Sequence, residues 1–167
     1  NRTLTSIDLS DNYFDEAVLT TILGALETNT DLMTLNLANN RLQEGEGEVL
    51  ARLVDSNPTL TSLNLRNMGL GSAVVDIAEA MQTNTSLTKL NLNDNFIEER
   101  EGVAVARMLE INTALTILDL GHNNLGEDSG VALANALEGN TTLMELDLDH
   151  TDPVSYTHLR AHETLTD

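Results

Sequence analysis

Residues 112–143 read NTALTILDLGHNNLGEDSGVALANALEGNTTL, and a change of period inside this stretch decides the fold. Around its start, Leu118 and Leu120 alternate with Ile117, Asp119 and Gly121, which is the two-residue period of a short strand with one apolar side. Further on, Gly130, Leu133, Ala134 and Leu137 fall at i, i+3, i+4 and i+7, the apolar stripe of an amphipathic helix. At Asn140 the wording begins again. A strand and a helix of this size cannot bury their apolar sides alone, so the stretch needs copies of itself on either side.

The copies are present. NRTLTSIDLSDNYF, NTDLMTLNLANNRL, NPTLTSLNLRNMGL, NTSLTKLNLNDNFI, NTALTILDLGHNNL and NTTLMELDLDHTDP begin at Asn1, Asn29, Asn57, Asn84, Asn112 and Asn140, a period of 28 residues with a single 27. They share the template N-x-x-L-x-x-L-x-L-x-x-N-x-L. Its L-x-L core supplies the inward set Ile7 and Leu9, Leu35 and Leu37, Leu63 and Leu65, Leu90 and Leu92, Leu118 and Leu120, and Leu146 and Leu148. Helical stripes recur at Leu19, Ile22, Leu23 and Leu26, at Val74, Ile77, Ala78 and Met81, and at Gly102, Val105, Ala106 and Leu109. The prediction is an α/β solenoid of about five and a half units. Its strands form one parallel concave sheet, and the bulkier helices form the convex layer.

At the twelfth template position stand Asn12, Asn40, Asn95 and Asn123, where an amide can bond backbone groups of neighbouring turns. Met68 replaces the Asn in the third copy, so the ladder is expected to lose a rung there. The one-residue deletion falls in the same copy, in the loop MGLGS.

These motifs, LTKLNLNDNFI and LTILDLGHNNLGEDSGVALANALEGNTTL above all, resemble the leucine-rich repeat family, in its ribonuclease-inhibitor-like class, over about residues 1–152. ALEGNTTL and MLEINTAL look like repeats of NOD-like receptors and of tropomodulin, and Ran GTPase-activating proteins share the strand-helix unit. The resemblance implies a horseshoe whose concave face meets a protein partner. It implies a fragment of a cytoplasmic scaffold, sensor or regulator, with a GTPase-activating regulator as the alternative. Function varies within the fold, and the repeat residues build the fold.

Composition narrows the partner. The formal charge is −19, from 8 basic and 27 acidic residues, a field that opposes phosphate backbones and anionic lipid. No nucleic acid or membrane partner is therefore expected, and no small-molecule substrate is assigned. There is no cysteine, which removes disulfides and thiolate metal sites. Ten acids, Asp15, Glu16, Glu44, Glu46, Glu48, Glu98, Glu99, Glu101, Glu127 and Asp128, fall where helices begin and favour the positive end of the helix dipole. Aromatics are only 2% of the chain, so anchor residues for binding are scarce.

Alternation places Arg66, Lys89, Asn91, Asp119, Glu145, Asp147 and Asp149 on the concave face, and these are the candidate partner-binding residues. Arg66 is expected diagonally beside Lys89 on the next strand. A column of Asp8, Asn36, Asn64, Asn91, Asp119 and Asp147 runs across that face; half its members are amides, unsuited to acid-base work, so a repeat constraint is expected. His122 and His150 take equivalent places in adjacent copies beside Asp119 and Asp147, a spacing that a divalent ion could bridge, but exposed loop histidines are the expected reading. DLDHTD mimics the opening of a calcium loop and lacks its sixth-position Gly and terminal Glu. No nucleophile-base set or phosphate loop appears. Catalytic residues, metal and cofactors are accordingly assigned as none.

The sixth copy loses the template at Thr151 and Pro153. VSYTHLRAHET, residues 154–164, resembles the conceptual translation of a transposase-inserted adapter used in sequencing libraries. Residues 153–167 are expected to be a non-native or disordered tail, with Tyr156, His158, Arg160 and His162 outside the candidate site. The repeat array, residues 1–152, is expected to be part of a longer one and to fray at both ends.

Overall fold

A computed structural model describes residues 3–12, 14, 16–41 and 46–151. Asp15, Glu44 and the whole segment 153–167, on which expectations were placed above, lie outside the described residues. Strands and helices alternate: β1 (Ser6–Asp8), α1 (Glu16–Glu27), β2 (Thr34–Asn36), α2 (Glu46–Ser56), β3 (Ser62–Asn64), α3 (Ala73–Thr83), β4 (Lys89–Asn91), α4 (Glu99–Ile111), β5 (Ile117–Asp119), α5 (Gly126–Gly139) and β6 (Glu145–Asp147). The six strands form one parallel sheet in chain order. The register runs Ile7, Leu35, Leu63, Leu90, Leu118, Leu146 across it, so the L-x-L cores stack leucine on leucine. Helices pack against their sequence neighbours as a second layer, and the solenoid fold follows.

Each strand lasts three residues because the chain is turned at once by two local devices. The last residue of the strand accepts a hydrogen bond on its side-chain oxygen from the backbone N–H two positions on, from Asp8 to Ser10 (3.0 Å), Asn36 to Ala38 (3.1 Å), Asn64 to Arg66 (3.1 Å), Asn91 to Asn93 (2.9 Å), Asp119 to Gly121 (3.0 Å) and Asp147 to Asp149 (2.9 Å). Asp and Asn place an acceptor at that reach, and Ser and Thr do so more weakly. The repeat constraint on the column is therefore an Asx turn. One step later Asp11, Asn39, Asn67, Asp94, His122 and His150 all adopt φ between 51° and 59°. These residue types tolerate the left-handed region best after glycine.

The expected ladder closes the next turn. Asn123 is 5% exposed; its Nδ2 donates to the carbonyls of Leu92, Leu120 and Gly121, and its Oδ1 accepts from the backbone of Asn95 (2.9 Å) and Ile97 (3.1 Å). Asn95 repeats this toward Met68 and Leu70, and Asn40 toward Asn12. Met68 is fully buried and its backbone N–H donates to Asn95 Oδ1, but its side chain offers no such acceptor to the unit before, so the ladder is broken where expected. Thr151 is 4% exposed at the sixth position, and its hydroxyl makes one such bond, to Leu148 O (2.9 Å).

A second amide ladder was not foreseen. Asn57, Asn84, Asn112 and Asn140, the first template residues, each donate Nδ2 to a carbonyl in the last turn of the helix before the one they directly follow: Leu26 (3.1 Å), Val54 (2.6 Å), Met81 (2.6 Å) and Leu109 (2.7 Å). Their Oδ1 atoms meanwhile accept from the backbone two and three residues on, as in Asn112 to Ala114 and Leu115. One side chain thus satisfies the C-terminal carbonyls of one helix and starts the next turn.

The helical stripes are buried as expected in α3 and α4, with Met108 and Glu101 added in α4. In α5 the expected stripe needs correction. Leu133 is buried, but Leu137 is 41% exposed and Gly130 and Ala134 are half-buried, while Ser129 and Ala136 are buried instead. The cause is position. Gly102 in α4 faces Ser129 of α5, and its counterpart Gly130 faces the side on which no helix follows among the described residues.

Candidate protein-interaction face

The exposed side of the sheet carries a shallow groove of about 310 Å³. Its lining includes Ser62, Asn64, Lys89, Asn91, Asp119, Glu145 and Asp147. Two rows cross it. Ser62, Lys89, Ile117 and Glu145 are in register, as are Asn64, Asn91, Asp119 and Asp147. Lys89 therefore stands two strands from Glu145, roughly 10 Å away at ordinary strand spacing. The face passes from cationic and neutral at β3 and β4 to anionic at β6.

Of the seven candidate residues, five share this groove: Lys89, Asn91, Asp119, Glu145 and Asp147. Arg66 and Asp149 lie beyond its end. Arg66 is not diagonal to Lys89, contrary to the expectation above. The pairing Asn64 with Asn91, and the bond from Asn67 N to Asn93 O, put Arg66 level with Asn93, four residues from Lys89 along the strand or roughly 13 Å. The two cations sit at opposite ends of the face. Neither forms an ion pair within the described residues, whereas Arg52 pairs with Glu27 and Glu48 on the helix layer.

The column residues differ in what they have left to offer. Asp119 is largely engaged within the sheet: Oδ1 accepts from Gly121 N (3.0 Å) and Asn93 Nδ2 (3.1 Å), and Oδ2 from Asn91 Nδ2 (3.0 Å). Asn93 Oδ1, buried beside it, has no hydrogen-bond partner. Asp147 is exposed, with one oxygen in its turn. At the other end Asp8 has a carboxyl held below its ordinary value, first by the Ser10 N–H, then by the Ser10 hydroxyl and the Asn36 amide, with burial opposing. Asp147, Glu145 and Lys89 thus carry the charge that is free to meet a partner.

Four of the acids at the helix starts, Glu48, Glu98, Glu99 and Glu101, make structural contacts. Glu98 and Glu101 form a reciprocal capping box on α4. Glu99 reaches across to α5 and accepts from Asp128 N (3.3 Å), over Gly126, whose φ of 72° and missing Cβ leave room for the carboxylate. Glu48 pairs with Arg52.

A residue that the sequence did not single out is Phe96. It is 70% exposed with φ 55°, a left-handed backbone rare for a bulky side chain. With Arg41, Asn39, Asn67 and Met68 it lines a second surface hollow of about 620 Å³, on the strand-to-helix loops. The only signal was its place in the template, where the other copies carry Tyr13, Arg41, Gly69, Asn124 and Asp152.

Comparison with known proteins supplies the family. A sequence family described as the TMOD/LMOD leucine-rich domain matches residues 47–157, and a leucine-rich repeat family matches residues 1–14. The chain belongs to the tropomodulin/leiomodin leucine-rich domain family. Among solved structures it is similar to leiomodin-1 actin-binding site 2, with 21% identity, a TM-score of 0.70 and coverage of 99% of this chain and 91% of that one. It is similar also to the tropomodulin C-terminal domain of Caenorhabditis elegans, with 12% identity, a TM-score of 0.69 and coverage of 98% and 90%. Both likenesses concern the fold. No curated protein sequence matches the chain. Within the three families that the repeats resembled, the match selects the tropomodulin type. No helix among the described residues is long and apolar enough to cross a membrane.

Proposed function

We propose that this tropomodulin/leiomodin-type domain is a non-catalytic protein-interaction module of the cytoplasm that binds actin through the groove on its concave face. The observation that carries the reading is the groove itself, with Lys89 at one end and Glu145 and Asp147 at the other, none of them in an ion pair within the described residues. The family match and the leiomodin relative, an actin-binding site, point to the partner. A face of this kind offers a partner charge complementarity and little apolar anchoring, which suits a contact that works together with others in a longer chain. No residue of the groove corresponds to a GTPase-activating role.

Fluorescence titration with monomeric actin tests it. Lys89→Glu and Asp147→Lys are each expected to weaken binding about fivefold or more at low salt, with the loss shrinking as ionic strength rises. Arg66→Glu, outside the groove, is expected to have a smaller effect. Wild-type affinity in both groove variants would exclude the groove as the contact. No binding by the wild-type domain would exclude actin as its partner.

A further inference from the structure

We propose that His122, Asp149 and His150 form a binding site for a divalent transition-metal ion of the zinc and copper class, clamping the fifth and sixth repeats together. The site is independent of the concave groove and of actin.

The geometry comes from the repeat. His122 and His150 occupy the left-handed position of successive units, with φ 57° and 53°, so the solenoid places them one strand spacing apart. Their rings stack with centroids 4.8 Å apart and planes 8° from parallel. Asp149 joins them, not Asp119 or Asp147 as the sequence alone suggested. Its Oδ2 lies 2.9 Å from His150 Nδ1, and its carbonyl accepts from His122 N at 2.7 Å, tying the three residues into one turn pair. One donor atom of each residue lies within 4.8 Å of the others, and all three are exposed.

Elsewhere in this column the residues are Asp11, Asn39, Asn67 and Asp94. The backbone alone is satisfied by Asp and Asn. Two consecutive histidines, with an added acid at their edge, go beyond what the turn requires. Ligands at about 2.1 Å from one ion stand roughly 2.9 to 3.4 Å apart, and the carboxylate and the His150 imidazole already share such an edge. Stacked rings present faces to each other, whereas an ion is held in the ring plane, so capture turns at least one imidazole about χ2. Exposure of the His150 and Asp149 side chains, 70% and 68%, leaves that rotation free. Two imidazoles and one carboxylate select zinc, copper or nickel over magnesium or calcium, which require oxygen ligands. The net charge of −19 concentrates cations near the surface.

Isothermal titration of the full chain with zinc chloride tests the site. One saturable equivalent is expected. His122→Asn and His150→Asn, which keep a residue suited to the left-handed turn, should each weaken it at least about tenfold, since even outer partners of a metal ligand are worth 10- to 100-fold. Circular dichroism without metal should be unchanged in both. The two remaining histidines are removed in a His158→Ala/His162→Ala background, where binding should persist. Absence of saturable binding, retention of full affinity in the His122 and His150 variants, or loss of binding in the His158→Ala/His162→Ala background would each overturn the proposal.

Discussion

At the scale of a single residue, the buried asparagines show what holds a unit in register. Asn95 is fully buried and joins the turns of two successive units, accepting from Met68 N (2.9 Å) and Leu70 N (3.3 Å) while donating to Leu65 O (2.8 Å) and Asn93 O (3.1 Å). Asn95→Ala strands the two N–H donors in a dry interior, and each unsatisfied donor costs about 1–3 kcal/mol. A loss near ~3 kcal/mol is expected in urea unfolding. The exposed Asn12, which donates to Leu9 O and Ser10 O at the edge of the sheet, should cost about 1 kcal/mol or less when replaced by Ala. Equal losses at the two positions would mean that burial does not set the value of the rung. This ladder was legible because its Asn recurs against a variable background and the turn into the core has an obvious need for it. The second amide ladder recurred just as regularly, at Asn57, Asn84, Asn112 and Asn140, and went unassigned. Its partners are helix carbonyls some 30 residues earlier, which no local pattern connects to it.

At the scale of an element, helix spacing is set by what faces what in the next unit. A Cβ added at Gly102 would stand 2.6 Å from Ser129 Cβ, 2.8 Å from its Oγ and 3.2 Å from Leu125 Cδ2, so α4 and α5 approach as closely as they do because residue 102 has no side chain. Ser129 is itself held, its hydroxyl donating to Leu125 O, and is fully buried. Alanine favours a helix by about 1 kcal/mol over glycine, yet overpacking costs about 1–3 kcal/mol. Gly102→Ala is expected to destabilise by about 1–2 kcal/mol net, and the additional change Ser129→Gly to restore part of that loss; stabilisation by Gly102→Ala in thermal unfolding would show that the two helices can separate freely. The sequence displayed Gly102 as one member of an apolar stripe, and the stripe was correct for α4. For α5 the same rule named Leu137, which is exposed, because a periodicity states which side of a helix is apolar and not whether a neighbour covers it. The misplacing of Arg66 beside Lys89 has a similar origin: alternation fixes the side of the sheet, while position along the strand comes only from register.

At the scale of the whole molecule, each unit contacts only its neighbours, so stability is built from units and interfaces. The inward rows make this visible. Leu63, Leu65, Leu90, Leu92, Leu118 and Leu120 are at most 2% exposed, whereas Ile7 and Leu9 in the first unit and Leu146 and Leu148 in the sixth are only half-buried. Thr151 adds a single hydroxyl bond where Asn123 makes three amide ones, so the sixth unit is tied on through β5, the Asn140 amide and the turn around His122 and His150. Residues 153–167 follow that weakly tied unit. On the reading that 154–164 are adapter-derived, this segment was never selected to cover Leu146 and Leu148, and its two histidines, one arginine and one tyrosine have no counterpart in the template. The family match, which ends at residue 157, enters the segment by only a few residues. Truncation after Asp152 is therefore expected to move the thermal midpoint by less than ~2 °C. For a chain of this size 1 kcal/mol corresponds to about 2–4 °C, so a drop of ~5 °C would mean that the segment contributes over 1 kcal/mol, as a cap on the sixth unit does and a translated adapter has no reason to.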